Sequence, residues 1–113
     1  MARLIGRFYF KCTSIGNLLG EFSNNIAPGI YTESADLNIN DKKGEAPFIG
    51  SYTSTWQEDG IPKYATLIIG NNHKPNPQIY SLTWTQEDKT IYWGEGILFD
   101  NILMGNYRNH EKD

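Results

Sequence analysis

The sequence has a single cysteine, no long apolar run and no excess of positive charge. Cys12 has no partner for an intrachain disulfide, which favours a reduced, cytoplasmic setting. No stretch approaches the roughly 20 apolar residues of a membrane helix, and the first residues lack the pattern of a signal peptide. The net charge is −3 and the lysines and arginines are scattered, so no basic surface for nucleic acid is expected. We therefore expect a cytoplasmic protein with neither a nucleic-acid nor a membrane partner.

Signatures of catalysis and of metal binding are also missing. His73 lies in a stretch rich in Asn and Pro and His110 lies near the end of the chain, so neither is expected to act as a general base. No Cys/His spacing suits zinc, and no Gly-rich loop leads into a helix that could hold phosphate. We expect no cofactor and no metal. Acid/base work by Glu33 with Tyr52 or Tyr92 is an open alternative.

Short aromatic-rich segments, by contrast, recur along the whole chain. Apolar and polar residues alternate within them, which is the period of two of half-buried strands, and Gly, Asn, Asp and Pro separate them. No segment has the pattern of an amphipathic helix. The sequence predicts an all-β protein, a single antiparallel up-and-down meander barrel of about eight strands over residues 1–108, followed by a polar tail over 109–113.

One of the predicted strands, over residues 30–39, is ambiguous. Residues 34–37 could start a helical turn, whereas Tyr31, Ala35 and Leu37 keep the alternation of a strand. As a strand, the segment points Glu33 inward with these residues; as a turn, it leaves Glu33 in solvent. The predicted strands are 5–13, 18–23, 30–39, 48–56, 64–69, 79–85, 90–99 and 102–108.

Glycines inside the predicted strands indicate that the sheet is strongly curled. Each costs roughly 0.5–1 kcal/mol relative to alanine, and a curled sheet gives a reason for them, because glycine lets a strand bend and leaves room for a ring across the barrel. Some could instead mark bulges. The inward positions concerned are Gly20, Gly50, Gly94, Gly96 and Gly105.

Two segments at opposite ends of the chain have the same design. Residues 17–24 and 102–109 share an apolar pair, a glycine, a polar residue, an aromatic residue, another polar residue and an asparagine. This similarity suggests that the terminal strands occupy equivalent positions in one sheet. Pairing between them would remove both sheet edges.

Four Gly-x-aromatic units, at residues 6–8, 20–22, 50–52 and 105–107, give the chain a resemblance to the calycin-type barrels: lipocalins, fatty-acid-binding proteins and avidins. The resemblance implies a closed barrel around a ligand cavity. Lipocalins have Gly-x-Trp where this chain has Phe8 as the aromatic residue, and their Thr-Asp-Tyr element has no match here. Arg108 would correspond to the arginine that covers the barrel bottom in lipocalins. The run 50–56 and the segment 82–84 look similar to avidin strands.

Eight side chains that are predicted to point inward carry a ring or a polar group. An eight-stranded barrel encloses space for its own side chains or for one small ligand, and rings with a polar tip suit a flat, partly polar molecule. The first hypothesis is therefore a non-enzymatic barrel that binds such a molecule; the alternative is that the rings only fill the core. The candidate ligand-binding residues are Tyr31, Glu33, Tyr52, Ser54, Trp56, Tyr80, Trp84 and Tyr92.

The outward side of the seventh predicted strand is unusually apolar. Trp93, Ile97 and Phe99 lie on this side, and a face of this kind usually packs against a partner. The second hypothesis is a protein-interaction or homo-oligomeric assembly module with a solid barrel core. A bulge at Gly94 or Gly96 would instead return half of these residues to the core.

Overall fold

The structure, a computed structural model, describes residues 3–38, 47–71, 76 and 78–110. In these ranges eight strands pair antiparallel in sequence order and close into one barrel. The predicted all-β up-and-down meander is thereby confirmed. The strands are β1 Ile5–Cys12, β2 Leu18–Asn24, β3 Tyr31–Leu37, β4 Gly50–Glu58, β5 Ile61–Gly70, β6 Tyr80–Gln86, β7 Lys89–Phe99 and β8 Ile102–Asn109.

Three of the connections are two-residue hairpin turns. Both residues of each turn have positive φ, as in type I′ turns, whose twist matches that of the flanking strands. The predicted connection over 57–62 is therefore too long, because β4 and β5 extend into it from both sides. The turns are Asp59-Gly60, Glu87-Asp88 and Asp100-Asn101.

Pairing between β1 and β8 closes the barrel. Phe8 of β1 lies opposite Gly105 of β8 and, on its other side, opposite Phe22 of β2. The two segments of similar sequence thus flank the same strand. The expectation that the terminal strands pair is confirmed, and neither leaves an unpaired edge.

The ambiguous segment over 30–39 forms strand β3, so the alternative of a helical turn at 34–37 is wrong. Glu33 pairs with Gly20 on one side and with Trp56 on the other. Glu33 and Ala35 are both buried inside the barrel. Ile39, where the predicted strand ended, lies outside the described residues.

The glycines allow close approach of neighbouring backbones more than they make room for distant rings. A Cβ added to Gly20 would lie 1.8 Å from the carbonyl oxygen of Tyr9, a residue of the adjacent strand β1. Gly105 has the same relation to the carbonyl oxygen of Glu95. A ring fills the space at Gly6, where an added Cβ would lie 2.3 Å from a ring carbon of Tyr107.

The bulge occurs at a different place from the one considered in the sequence. The register between β6 and β7 shifts after Trp84, which leaves Ile91 without an opposite residue. Gly94 and Gly96 keep regular pairs with β8 and stay buried. Trp93, Ile97 and Phe99 therefore remain on the outer side of β7, although the inward-facing Leu98 is partly exposed at the strand end.

The barrel interior has two unlike halves. The half nearest the Asp100-Asn101 turn is tightly filled, and the Tyr52 hydroxyl donates a hydrogen bond to the Phe48 carbonyl there at 2.9 Å. The opposite half, next to the two termini and the Asp59-Gly60 turn, holds most of the aromatic rings. The largest fully buried apolar side chains are Phe10, Leu18, Tyr52, Leu67, Ile69, Leu82 and Leu103.

Residues 109 and 110 are held to the barrel by hydrogen bonds. Asn109, the first residue of the predicted tail over 109–113, belongs to β8 and accepts a hydrogen bond from the Leu4 amide at 3.2 Å; residues 111–113 lie outside the described residues. The exposed His110 donates its amide to the Ile91 carbonyl at 3.0 Å. His73 lies outside the described residues. The described chain contains no helix of the length and hydropathy needed to cross a membrane.

Candidate functional site

A cleft opens to solvent at the aromatic end of the barrel. The space between the atoms that line the cleft is about 340 Å³ when the open mouth is included. Only about 20 Å³ of this space is wide enough to hold the centre of a water molecule. That is enough for about one water. The cleft is therefore narrow. Its lining residues are Phe8, Phe22, Asn24, Glu33, Trp56, Glu58, Trp84, Tyr92 and Tyr107.

A buried carboxylate, Glu33, lies in the wall of this cleft, and only 6% of its surface is exposed. Its Oε2 accepts hydrogen bonds from the Ser54 hydroxyl and, at 2.8 Å, from the Trp84 indole Nε1. Its Oε1 has no donor in the part of the chain that the structure describes. Burial raises the pKa of Glu33 from 4.5 to about 7, and the two hydrogen bonds oppose this rise.

The two donors reach Glu33 from different strands, one by strand pairing and one across the barrel interior. Glu33 lies opposite Trp56 of β4, so Ser54, two residues earlier on the same face, is its diagonal neighbour. Trp84 lies on β6, three strands away along the sheet, and reaches Glu33 through the interior. Because β3 and β6 are not neighbours in the sheet, this contact depends on the curvature that brings their inner faces together.

Aromatic rings surround the carboxylate in edge-to-face contacts. Tyr92 is at the centre of the group, with its ring centroid 6.4 Å from Trp56, 6.5 Å from Trp84 and 5.7 Å from Tyr107. Phe22 makes a similar contact with Tyr107 at 6.1 Å. Pairs of this geometry contribute about 0.5–1.5 kcal/mol each beyond the area they bury, so the wall of the cleft is stably packed.

A second carboxylate lies at the mouth. Glu58 accepts a hydrogen bond from the Trp56 indole Nε1 at 2.7 Å. Burial raises the pKa of Tyr92, and the negative charges of Glu58 and Glu33 raise it further. Burial also raises the pKa of Tyr107 to about 12, although the Asn24 amide that donates to its hydroxyl at 3.0 Å lowers it. No lysine or arginine lines the cleft among the described residues.

The eight predicted ligand-binding residues fall into three groups. Four line the cleft: Glu33, Trp56, Trp84 and Tyr92. Ser54 does not line it but holds Glu33 in place.

The other three are tyrosines that do not line the cleft. The ring of Tyr31 stacks on that of Phe22, with the ring centroids 5.5 Å apart. Its hydroxyl donates a hydrogen bond to the Pro28 carbonyl. Tyr52 lies in the filled half of the barrel, and Tyr80, opposite Gly96, does not reach the cleft.

Several cleft residues were not among the candidates. Three of the four Gly-x-aromatic units supply a ring to the cleft, namely Phe8, Phe22 and Tyr107, so this repeated motif was the signal that could have identified them. Glu58 follows Trp56 by two residues and therefore shares its face. Asn24 ends strand β2 at the same rim and had no comparable signal.

The predicted interface residues lie on the outer surface. Ile97 and Phe99 are 53% and 63% exposed. Trp93 is half-buried, because the guanidinium of Arg108 lies 4.0 Å from its ring centroid. Trp93 thus already has a contact within the chain, and Arg108 packs on the outside of the barrel.

The fold and the cleft together define a closed eight-stranded antiparallel barrel, counted over the described residues, with a buried carboxylate among aromatic rings. Comparison of the chain with protein-family models, curated proteins and solved structures finds no match. The same described residues contain no group of three or more His, Cys, Asp or Glu side chains that could hold a metal ion.

Proposed function

We propose that the protein binds a small, flat, partly polar molecule in the aromatic cleft and does not transform it chemically. The observation that carries the proposal is Glu33, a carboxylate that is almost fully buried yet lies beneath a mouth open to solvent. A buried carboxylate lowers the stability of a fold unless its charge is compensated. Such a group in a cleft is a candidate for a functional site.

The aromatic walls support the same proposal. Trp56 and Tyr92 offer rings near the mouth, and Glu33 and Glu58 offer carboxylate oxygens. A few polar groups among apolar walls are typical of small-molecule sites. Because the cleft admits about one water, the body of a ligand stays at the mouth and only a small group enters the cleft. The calycin-like architecture and a cytoplasmic location remain part of the proposal.

The three tryptophans allow a test with a control inside the same molecule. Indole N–H signals in NMR spectra are followed during titration with indole, benzyl alcohol, benzylamine and nicotinamide at about 1 mM, a concentration that detects weak binding. We expect at least one of these probes to move the signals of Trp56 and Trp84, which line the cleft, and to leave that of Trp93, on the outer surface, unchanged. If none of them moves the two inner signals, the proposed function is wrong.

A second candidate, homo-oligomeric assembly, is supported by an apolar strip on the outer face of β7, β8 and β1. Ile97 pairs with Met104, and Met104 pairs with Tyr9 on the next strand. All three are exposed, as is Phe99 at the end of the strip. Exposed apolar patches that span several strands favour association between molecules, and a second copy of the chain could cover this one.

Light scattering tests this candidate. We expect the wild type to have the mass of a dimer or a larger assembly, and a variant with both Ile97→Ser and Phe99→Ser to be monomeric. Tyr64→Ser is the matched control, because Tyr64 is also exposed but lies on β5, away from the strip. A monomeric wild type would exclude the candidate.

A further inference from the structure

The charge that faces the cleft is negative. Glu33 and Glu58 both line it, and no cationic side chain does so among the described residues. The indole N–H groups of both cleft tryptophans are already used, one by each carboxylate. Oε1 of Glu33 has no such donor in the described chain, so above the pKa of Glu33, where the carboxylate is ionised, its unsatisfied hydrogen-bonding capacity is that of an acceptor.

The size of the free space limits what can approach this oxygen. About 20 Å³ is open to the centre of a water molecule, which corresponds to a group of about the size of one water. A primary ammonium group is of this size and donates three hydrogen bonds. A guanidinium or a quaternary ammonium is larger.

The rings around the base also favour a positive charge. Trp56, Trp84, Tyr92 and Tyr107 enclose the space beside Glu33, with neighbouring centroids between 5.7 and 6.5 Å apart. A cation near the face of an aromatic ring gains about 0.5–2 kcal/mol, more where water is excluded. An anion would be repelled by the two carboxylates that line the cleft.

We propose that the cleft selects a molecule that carries a primary ammonium group on a flat apolar body. The ammonium group binds Oε1 of Glu33 at the base, and the flat body lies among the rings at the mouth. This inference rests on the proposed function and deepens it by naming the class of ligand. Charge compensation by the ligand also accounts for a carboxylate that lacks a cationic partner within the described chain.

Three probes of matched shape test this class. Benzylamine, benzyl alcohol and benzyltrimethylammonium share one ring and differ in the charge and size of the head group. They are titrated at about pH 8, above the pKa of Glu33, and the indole N–H signals of Trp56 and Trp84 report occupancy. We expect benzylamine to bind about tenfold more tightly than benzyl alcohol, and benzyltrimethylammonium to bind more weakly than benzylamine because its head exceeds the space at the base.

Two glutamate variants test whether Glu33 causes the preference for benzylamine over benzyl alcohol. Glu33→Gln keeps an acceptor for the Ser54 and Trp84 donors but removes the charge, and is expected to abolish the preference for benzylamine over benzyl alcohol. Glu21→Gln is the matched control, since Glu21 lies on the outside of β2 and accepts from the Tyr9 hydroxyl; this variant is expected to retain the preference.

The possible outcomes distinguish failure of this inference from failure of the proposed function on which it rests. Binding of benzyl alcohol as tightly as benzylamine, or of the quaternary probe as tightly as the primary one, overturns the ammonium selectivity and leaves small-molecule binding intact. A preference that persists in Glu33→Gln also overturns it. Failure of all three probes, together with the panel used above, overturns both proposals.

Discussion

Glu33→Gln is expected to stabilise the protein at neutral and higher pH, by up to about 3 kcal/mol, and to have little effect at acidic pH. The value follows from the rise of the Glu33 pKa from 4.5 to about 7 at about 1.4 kcal/mol for each tenfold change in proton affinity. The glutamine oxygen still accepts from Ser54 and Trp84. The charge whose burial opposes folding is absent from the variant.

The direction of the pH dependence follows from proton binding. The folded wild type binds the Glu33 proton more tightly than the unfolded chain, so its free energy of unfolding decreases as pH rises from about 4.5 to about 7 and then levels off. Below this window the carboxyl is neutral in both states. Of the titratable groups that share the cleft, Tyr92 and Tyr107 have raised pKa values and stay neutral throughout, and Glu58 is present in both proteins.

Urea unfolding at a series of pH values measures this effect. The difference in free energy of unfolding between Glu33→Gln and the wild type is expected to grow across the window. Glu21→Gln, on the outer surface, is expected to show no such growth. A constant difference between Glu33→Gln and the wild type would mean that Glu33 is not desolvated in the folded protein.

Gly105→Ala is expected to destabilise the barrel by about 3 kcal/mol or more, at the upper end of what an overpacked interior position costs. The added Cβ would lie 1.8 Å from the carbonyl oxygen of Glu95 and 2.7 Å from the Cα of Gly96. Both atoms belong to the backbone of β7, which cannot move aside as a flexible side chain could. Strand β8 would have to shift away from β7, and the closing pair between β8 and β1 would shift with it.

Two further variants keep this prediction testable if Gly105→Ala does not fold. Gly96→Ala places its Cβ 2.9 Å from the Met104 carbonyl oxygen, and an intermediate loss in urea unfolding is expected. Gly60→Asn is the control: Gly60 has a φ of +77° with nothing within 4 Å of an added Cβ, and asparagine tolerates this conformation. Equal stability of Gly105→Ala and Gly60→Asn would contradict the close approach of β7 and β8.

Much of the fold was predictable because its signals are local. The alternation in residues 5–12 determines that Phe8 and Phe10 face inward whatever the rest of the chain does. The same alternation placed Glu33 inside once residues 31–37 were taken as a strand. Closure was predictable from the similar segments 17–24 and 102–109, which the structure places on either side of β1.

The cleft was only half predictable because alternation gives the face of a residue and not its level along the barrel axis. Tyr52 and Trp56 share a face of β4, yet Tyr52 packs in the filled half and Trp56 lines the cleft. The position of a residue along the barrel axis depends on the register of every strand pair around the barrel. The bulge at Ile91 changes that register between β6 and β7, and no signal in the sequence located it there.

The amino-acid sequence alone determined the strand content and most of the inward set of side chains, since both follow from residue type and a period of two. Only the tertiary structure decided that Ser54 and Trp84 both donate to one oxygen of Glu33 and that Tyr107, at the far end of the chain, shares its cleft. The physical reason is closure. Contacts across the interior join strands that are not neighbours, and the shear of the closed sheet sets which side chains meet.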